Sequence, residues 1–297
     1  MSLKEAFTVR KNIHALELGG TLFVPASHKN LEVVLSGKKY PDLRSVVIDF
    51  EDGLANEDRQ LALNRLEAIL EKLQKTKLLR FIRPQNVEIF KLFLQLKNID
   101  NIDGFVLPKF GLDNAKAYLS IIGQRHFMPS IEGIELFDTQ KLQTLRKLLM
   151  PYQKQIICIR FGAQDMLRQL GLRQSGSIYD MLLPTQIIAN FINTLKPYGF
   201  DISAPVYPTF SDNSSFKQEV SYELTNGLLS KTIIHPVQIN PINLLYRVRK
   251  LELEQAKALL SKEDGVLNLQ GQMGEVKTQH NWANFIMKRM HYYGLQE

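Results

Sequence analysis

Two carboxylates stand at the ends of apolar, β-rich runs. Glu132 closes Phe127-Met128-Pro129-Ser130-Ile131, and Asp165 closes the run that leads from Ile156 through Phe161-Gly162-Ala163-Gln164. If both runs are parallel strands of one barrel, both acids emerge at the same rim. Two hard oxygen ligands, with positions left for water and substrate, are what a catalytic Mg²⁺ centre requires. Polar and turn residues gather at the ends of other apolar runs as well: Pro25 and His28, Asp49 with Glu51 and Asp52, Arg83, Lys109, and His235 to Gln238.

Such residues need a scaffold that presents them together. Apolar runs occupy 21–26, 45–52, 78–85, 103–110, 126–133, 156–165, 201–209 and 229–238, with amphipathic helical stretches between them. Most are continuously apolar, as strands buried on both faces are. Leu66, Ile69, Leu70 and Leu73 share a helical face after the second run, and Leu142, Leu145, Leu148 and Leu149 do so after the fifth. This alternation predicts a (β/α)₈ TIM barrel over 1–242, whose C-terminal strand ends form the active face. A doubly wound open sheet would carry a Gly-rich phosphate turn after its first strand, whereas Gly19-Gly20 precede it. Beyond the barrel, 243–262 reads as a charged amphipathic helix. The whole of 243–297 is expected to be a helical extension serving as an oligomer contact or a lid.

Composition narrows the partners. The chain of 297 residues is 44% hydrophobic and 23% charged, ordinary for a globular protein. Its net charge of +7 is spread over helix-like segments beside Glu and Asp, a solvated surface and not a nucleic-acid footprint. The one cysteine, Cys158, sits in an apolar run and reads as an inert thiol in a reducing compartment. No apolar stretch reaches the roughly 20 residues of a membrane span, and the N-terminus lacks the apolar core of a signal peptide. The expectation is a cytoplasmic protein with neither a nucleic-acid nor a membrane partner.

The motifs Leu22-Phe23-Val24-Pro25-Ala26, Ile48-Asp49-Phe50-Glu51-Asp52, Ile82-Arg83, Leu107-Pro108-Lys109, Ile131-Glu132, Phe161-Gly162-Ala163-Gln164-Asp165 and Ile234-His235-Pro236-Val237-Gln238 occur in one order over about 20–240. Together they resemble the citrate lyase beta-subunit-like branch of the HpcH/HpaI aldolase superfamily. Gly271-Gln272-Met273-Gly274-Glu275 and His280-Asn281-Trp282-Ala283 look like the divergent members found beside tellurium-resistance genes.

The resemblance implies Mg²⁺-dependent making or breaking of a C–C bond next to a carbonyl, through an enolate, on a small oxo or hydroxy acid. Mn²⁺ is the expected substitute ion. Glu132 and Asp165 would hold the metal, and Arg83 would grip a substrate carboxylate or the enolate oxygen in a bidentate fork. The rival role for Arg83 is a structural ion pair with Asp52 or Glu51. Asp49, Glu51 and Asp52 cannot all approach one metal without raising some of their pKa values. One is expected to accept from metal-bound water and another to pair with Arg83. Lys109, Pro25 and His28 complete the expected substrate-binding set, with His28 either a general acid–base or an exposed loop residue. The family's Arg-Ser pair before Leu-Phe-Val-Pro is replaced by Gly19-Gly20, which argues against a CoA or acyl-carrier substrate. A homo-oligomer, with a trimer among the options, is expected. The rival readings are a metal-dependent acyl hydrolase and a non-catalytic metabolite-binding barrel.

Overall fold

A computed structural model describes residues 12–51 and 59–296. Eight parallel strands run around a barrel: β1 (Gly20–Pro25), β2 (Ser45–Asp49), β3 (Leu79–Arg83), β4 (Gly104–Leu107), β5 (Phe127–Ile131), β6 (Ile159–Phe161), β7 (Ile202–Ser203) and β8 (Lys231–Ile233). Successive strands are neighbours, and β1 also pairs with β8. Between β7 and β8 the ring closes through an Ala204–Lys231 bridge, where Leu229 N–H donates to the Ile202 carbonyl and Ala204 N–H to that of Ser230. Strands β2 and β5 are buried at every position, the condition that their unbroken apolar runs predict.

Each expected run contains a strand or most of one; β1 matches its run in length, shifted by one residue, and the other seven strands are shorter than their runs. The run 156–165 keeps only Ile159–Phe161 in the ladder. The chain then turns at Gly162 into the helix Ala163–Gln169, so Asp165 lies in a first helical turn and not at a strand end. Residues 201–209 likewise retain only Ile202–Ser203. The helical stripes pack as their spacing requires: Leu66, Ile69, Leu70 and Leu73 are buried, as are Leu142, Leu145 and Leu149. Asp138 caps the helix Thr139–Leu149 by accepting from the N–H groups of Gln140 and Lys141. Phe90 packs edge-on against Phe105 (centroids 4.8 Å apart), seating the helix Val87–Phe93 on β4.

The barrel wall also holds an ionic network. Lys231, at the start of β8, is fully buried and donates to Glu219 Oε1 (2.8 Å), Glu223 Oε1 (2.6 Å) and the Pro205 carbonyl (2.9 Å). Ser177 Oγ donates to Glu219 and Tyr179 OH to Glu223, which ties 177–179 and the helix Asn213–Thr225 to β8. Cys158 is buried, and burial pushes its thiol up to about 12, the inert state expected of it. No described helix is long and apolar enough to cross a membrane.

The chain divides into two compact units, ending at Ile239 and beginning at Asn240. The second contains the helices Lys250–Leu260 and Val276–Tyr293 around a small core that includes Leu253, Ala256, Leu259, Ala283 and Ile286. It differs from the expected uninterrupted helix over 243–262. One helix ends at Leu245 and the next starts at Lys250. In the gap, buried Arg289 donates to the carbonyls of Tyr246 and Arg247, while Val248 pairs with Leu295. An antiparallel hairpin, β9 (Val266–Leu269) and β10 (Gln272–Glu275), was not anticipated. Gln270 and Gly271 both take positive φ, the two-residue primed turn whose twist matches paired strands.

Candidate active site

The β2–β3 register sets Asp49 beside Arg83 at the C-terminal strand ends. Arg83 donates through Nε to Asp49 Oδ1 and through Nη2 to Oδ2, both at 2.7 Å, a bidentate fork. Its Nη1 lies 2.8 Å from Glu51 Oε2, and Lys109 Nζ lies 3.0 Å from Glu51 Oε1. Glu51 N–H in turn donates to Asp49. The fork edge of Arg83 expected to meet substrate therefore faces Asp49, and the alternative pairing with Glu51 is also present. Asp52 lies outside the described residues.

Glu132 follows β5 directly and is 5% exposed. Lys109 takes an unusual left-handed backbone (φ 46°) that aims its N–H at Glu132 Oε1. Its side chain meanwhile reaches Glu51, so one residue serves two carboxylates. Burial pushes Glu132 up to about 7, and the charges of Glu51 and Asp165 push the same way, against the Lys109 N–H and Arg83. The Glu132 carbonyl accepts from Gln169 Nε2 at 2.7 Å, which fastens the helix carrying Asp165 to the end of β5. Asp165 pairs with exposed Arg168 one helical turn on (2.6 Å). Gly162 fills the remaining gap: a Cβ there would overlap that of Glu132 and crowd its carboxylate.

A cavity of about 520 Å³ opens at these strand ends, with Phe23, Pro25, Asp49, Arg83, Glu132 and Asp165 in its lining. A second, of about 470 Å³, is lined by Lys109, Glu135, Lys141 and Arg168 among others. Glu132 and Asp165 line both.

His28 lines neither cavity. It is half-buried after β1, where its Nδ1 accepts from Asn30 N–H. Burial, with the charges of Lys39 and Arg65, lowers its pKa. His235 caps the turn after β8 through Val237 N–H and stacks on Phe210. Gly19 and Gly20 stand at the N-terminal end of β1, the length of the strand away from Pro25 at the rim. A charge change at that end does not bear directly on the rim.

The residue that sequence reasoning missed is Arg160. It is 3% exposed in the middle of β6, yet it belongs to the lining of the larger cavity. The available signal was a charge inside the apolar run Ile156–Phe161, which in a barrel strand requires an inward polar environment.

The family model for C–C bond lyases of the TIM-barrel fold matches residues 12–295. The beta subunit of citrate lyase from Haemophilus influenzae is 24% identical over 274 residues, spanning 85% of this chain and 90% of that one. CitE from Mycobacterium tuberculosis, solved with magnesium, acetoacetate and coenzyme A, superposes with a TM-score of 0.68 at 18% identity, over 93% of this chain and all of that one. The M. tuberculosis citrate lyase beta subunit with oxaloacetate and magnesium gives 0.59 at 18% identity, over 78% and 99%. RipC from Yersinia pestis gives 0.58, again at 18%, over 77% and 95%. A family match running almost the length of the chain, on an eight-stranded barrel with Asp49, Arg83, Glu132 and Asp165 around one cavity, places this protein in the C–C bond lyase family of the TIM-barrel fold, as a carbon–carbon lyase related to the beta subunit of citrate lyase.

Proposed function

We propose that this lyase makes or breaks a C–C bond of aldol or Claisen type in a small oxo or hydroxy acid, with Mg²⁺ held by Glu132 and Asp165. In this reading it works in the cytoplasm as a homo-oligomer and accepts Mn²⁺ in place of Mg²⁺. The observation that carries the reading is the state of Glu132: a buried carboxylate beside a cavity, raised to about 7 by burial and by the neighbouring charges of Glu51 and Asp165. Such a group favours a cation as its partner. Among the described residues no cluster of three or more His, Cys, Asp or Glu is placed to hold a metal ion, which leaves the two carboxylates as the candidate ligands. A pair of hard carboxylates that leaves positions for water and substrate suits Mg²⁺. The structures of M. tuberculosis relatives with magnesium and oxaloacetate, or with magnesium and pyruvate, support the ion and the substrate class.

When bound, Mg²⁺ supplies positive charge where an oxygen becomes anionic as the C–C bond breaks. The remaining work falls to the side chains. Asp49 and Glu51 fix the rotamer of Arg83, which presents its charge to the cavity already oriented. Lys109 balances Glu51 and steadies Glu132 through its backbone. Pro25 and Phe23 supply apolar wall that limits water around the reacting carbon.

Mn²⁺ binding followed by electron paramagnetic resonance tests this. The free-ion signal should fall on adding wild-type protein and change again with pyruvate or oxaloacetate, and Asp165→Ala should abolish both effects. Unchanged binding in a folded Asp165→Ala protein would remove Asp165 from the metal site. Gly162→Ala should also damage the site, through direct contact with Glu132. The added methyl displaces Glu132, and kcat/KM should drop on the order of 100-fold with the circular dichroism spectrum retained. A fully active Gly162→Ala enzyme would show that the placement of Glu132 is not critical.

A further inference from the structure

We propose that the floor of the larger cavity is a second anion site, built on Arg160, which receives an unreacting carboxylate of the substrate. The inference rests on the lyase reading for where the reacting end lies. Arg160 reaches from β6 across the barrel interior: its Nη2 donates to Thr232 Oγ1 on β8 (2.7 Å), its Nη1 approaches Met128 Sδ on β5 (3.5 Å), and its guanidinium carbon is 5.1 Å from the centre of the Phe23 ring on β1. The Arg83 guanidinium lies 5.1 Å from the centre of the same ring.

The two cations are treated differently by the protein. Asp49 and Glu51 match the charge of Arg83. Around Arg160 the partners are a hydroxyl, a thioether and the Cys158 thiol, all neutral, and no described carboxylate is within ion-pair distance. Burial and the proximity of Arg83 both disfavour its charge. A guanidinium nevertheless stays protonated in proteins, and an unmatched buried charge is costly unless something binds it. Its planar fork suits a carboxylate.

Arg160 and the rim carboxylates Glu132 and Asp165 line one cavity, and the backbone of Arg160 pairs with Ser130, two residues short of Glu132 along β5. A ligand that reaches from the rim to Arg160 within that cavity is therefore a short dicarboxylic acid. The cavity of about 520 Å³ has room for it.

Calorimetric titration with acids that differ by one carboxylate decides the matter. Metal-stripped protein is titrated with succinate and with butyrate, and Mg²⁺-loaded protein with 2-oxoglutarate and with 2-oxobutyrate. Wild type should prefer the dicarboxylate by on the order of 30-fold in both pairs. Arg160→Met should erase that preference, and Arg160→Lys, which keeps the charge without the fork, should retain only part of it. The apo Arg160→Met protein should melt no lower than wild type, because an unmatched charge has been removed. A clear fall in melting temperature would instead show a structural role and overturn the proposal. So would equal wild-type affinity for both acids of each pair, or a preference that survives in Arg160→Met or stays complete in Arg160→Lys. Tighter binding of inorganic phosphate than of succinate would overturn the carboxylate assignment. Succinate selectivity in a wild-type protein that binds no Mn²⁺ would uphold the anion site and sink the lyase reading alone.

Discussion

Glu132→Gln is expected to lower metal-dependent kcat/KM by on the order of 1,000-fold or more, while the apoprotein stays as stable as the parent or becomes more so. The amide keeps an oxygen for Lys109 N–H but carries no charge for the ion. It also removes a buried carboxylate that Glu51 and Asp165 repel. Glu132 is raised in the folded protein from an ordinary 4.5 to about 7. Its contribution to stability is therefore fully present below the unfolded value and is lost as pH rises through about 7. Binding a cation demands the opposite state, so Mg²⁺ affinity in the parent should weaken as pH falls below about 7. Thermal melts of the apoproteins at pH 5 and pH 8, read beside kcat/KM, check both halves. A Gln variant that loses activity only because it unfolds would refute the account.

Lys231→Met carries the largest expected cost in stability, about 3–5 kcal/mol, because it strands Glu219 and Glu223 in the barrel wall. All three side chains are essentially excluded from solvent, so water cannot replace the ammonium. The loss should depend on pH. Burial, aided by Glu219, pushes Glu223 up from 4.5 to about 8 even though Lys231 pulls it down. A raised folded-state value means stability that is complete below the unfolded pKa and declines as pH rises through about 8. The parent should therefore lose stability between pH 5 and pH 9 in part through Glu223, and Glu223→Gln should flatten that decline. Lys231→Met should be tolerated better at pH 5, where a stranded carboxyl can take up a proton. Urea unfolding across this range measures each slope. A penalty that is equal at pH 5 and pH 8 would show that the carboxylates do not sense the missing ammonium.

Much of the fold could be read from single residues because burial leaves a local trace. A strand covered on both faces must be apolar at every position, so runs such as Ser45–Asp49 and Phe127–Ile131 declare themselves, and Leu66, Ile69, Leu70 and Leu73 mark their helix by spacing alone. The parallel barrel that follows places Glu132, Arg83 and Asp49 on a common rim.

Partnership between charges leaves no such trace, since it depends on register and on what stands across the interior. The sequence allowed Arg83 to face substrate or an acid; the β2–β3 register joined it to Asp49. The composition of 156–165 read as one strand, and the turn at Gly162, packed against Glu132, made its last acid helical. Lys231 met its two glutamates through the packing of the helix Asn213–Thr225, and Arg160, beside the Arg83 cation at Phe23, met no described carboxylate. Hydrophobic pattern is a property of segments and determined the barrel; compensation of charge is a property of the assembled interior, and only the tertiary structure decided which cation is matched and which is left for a ligand.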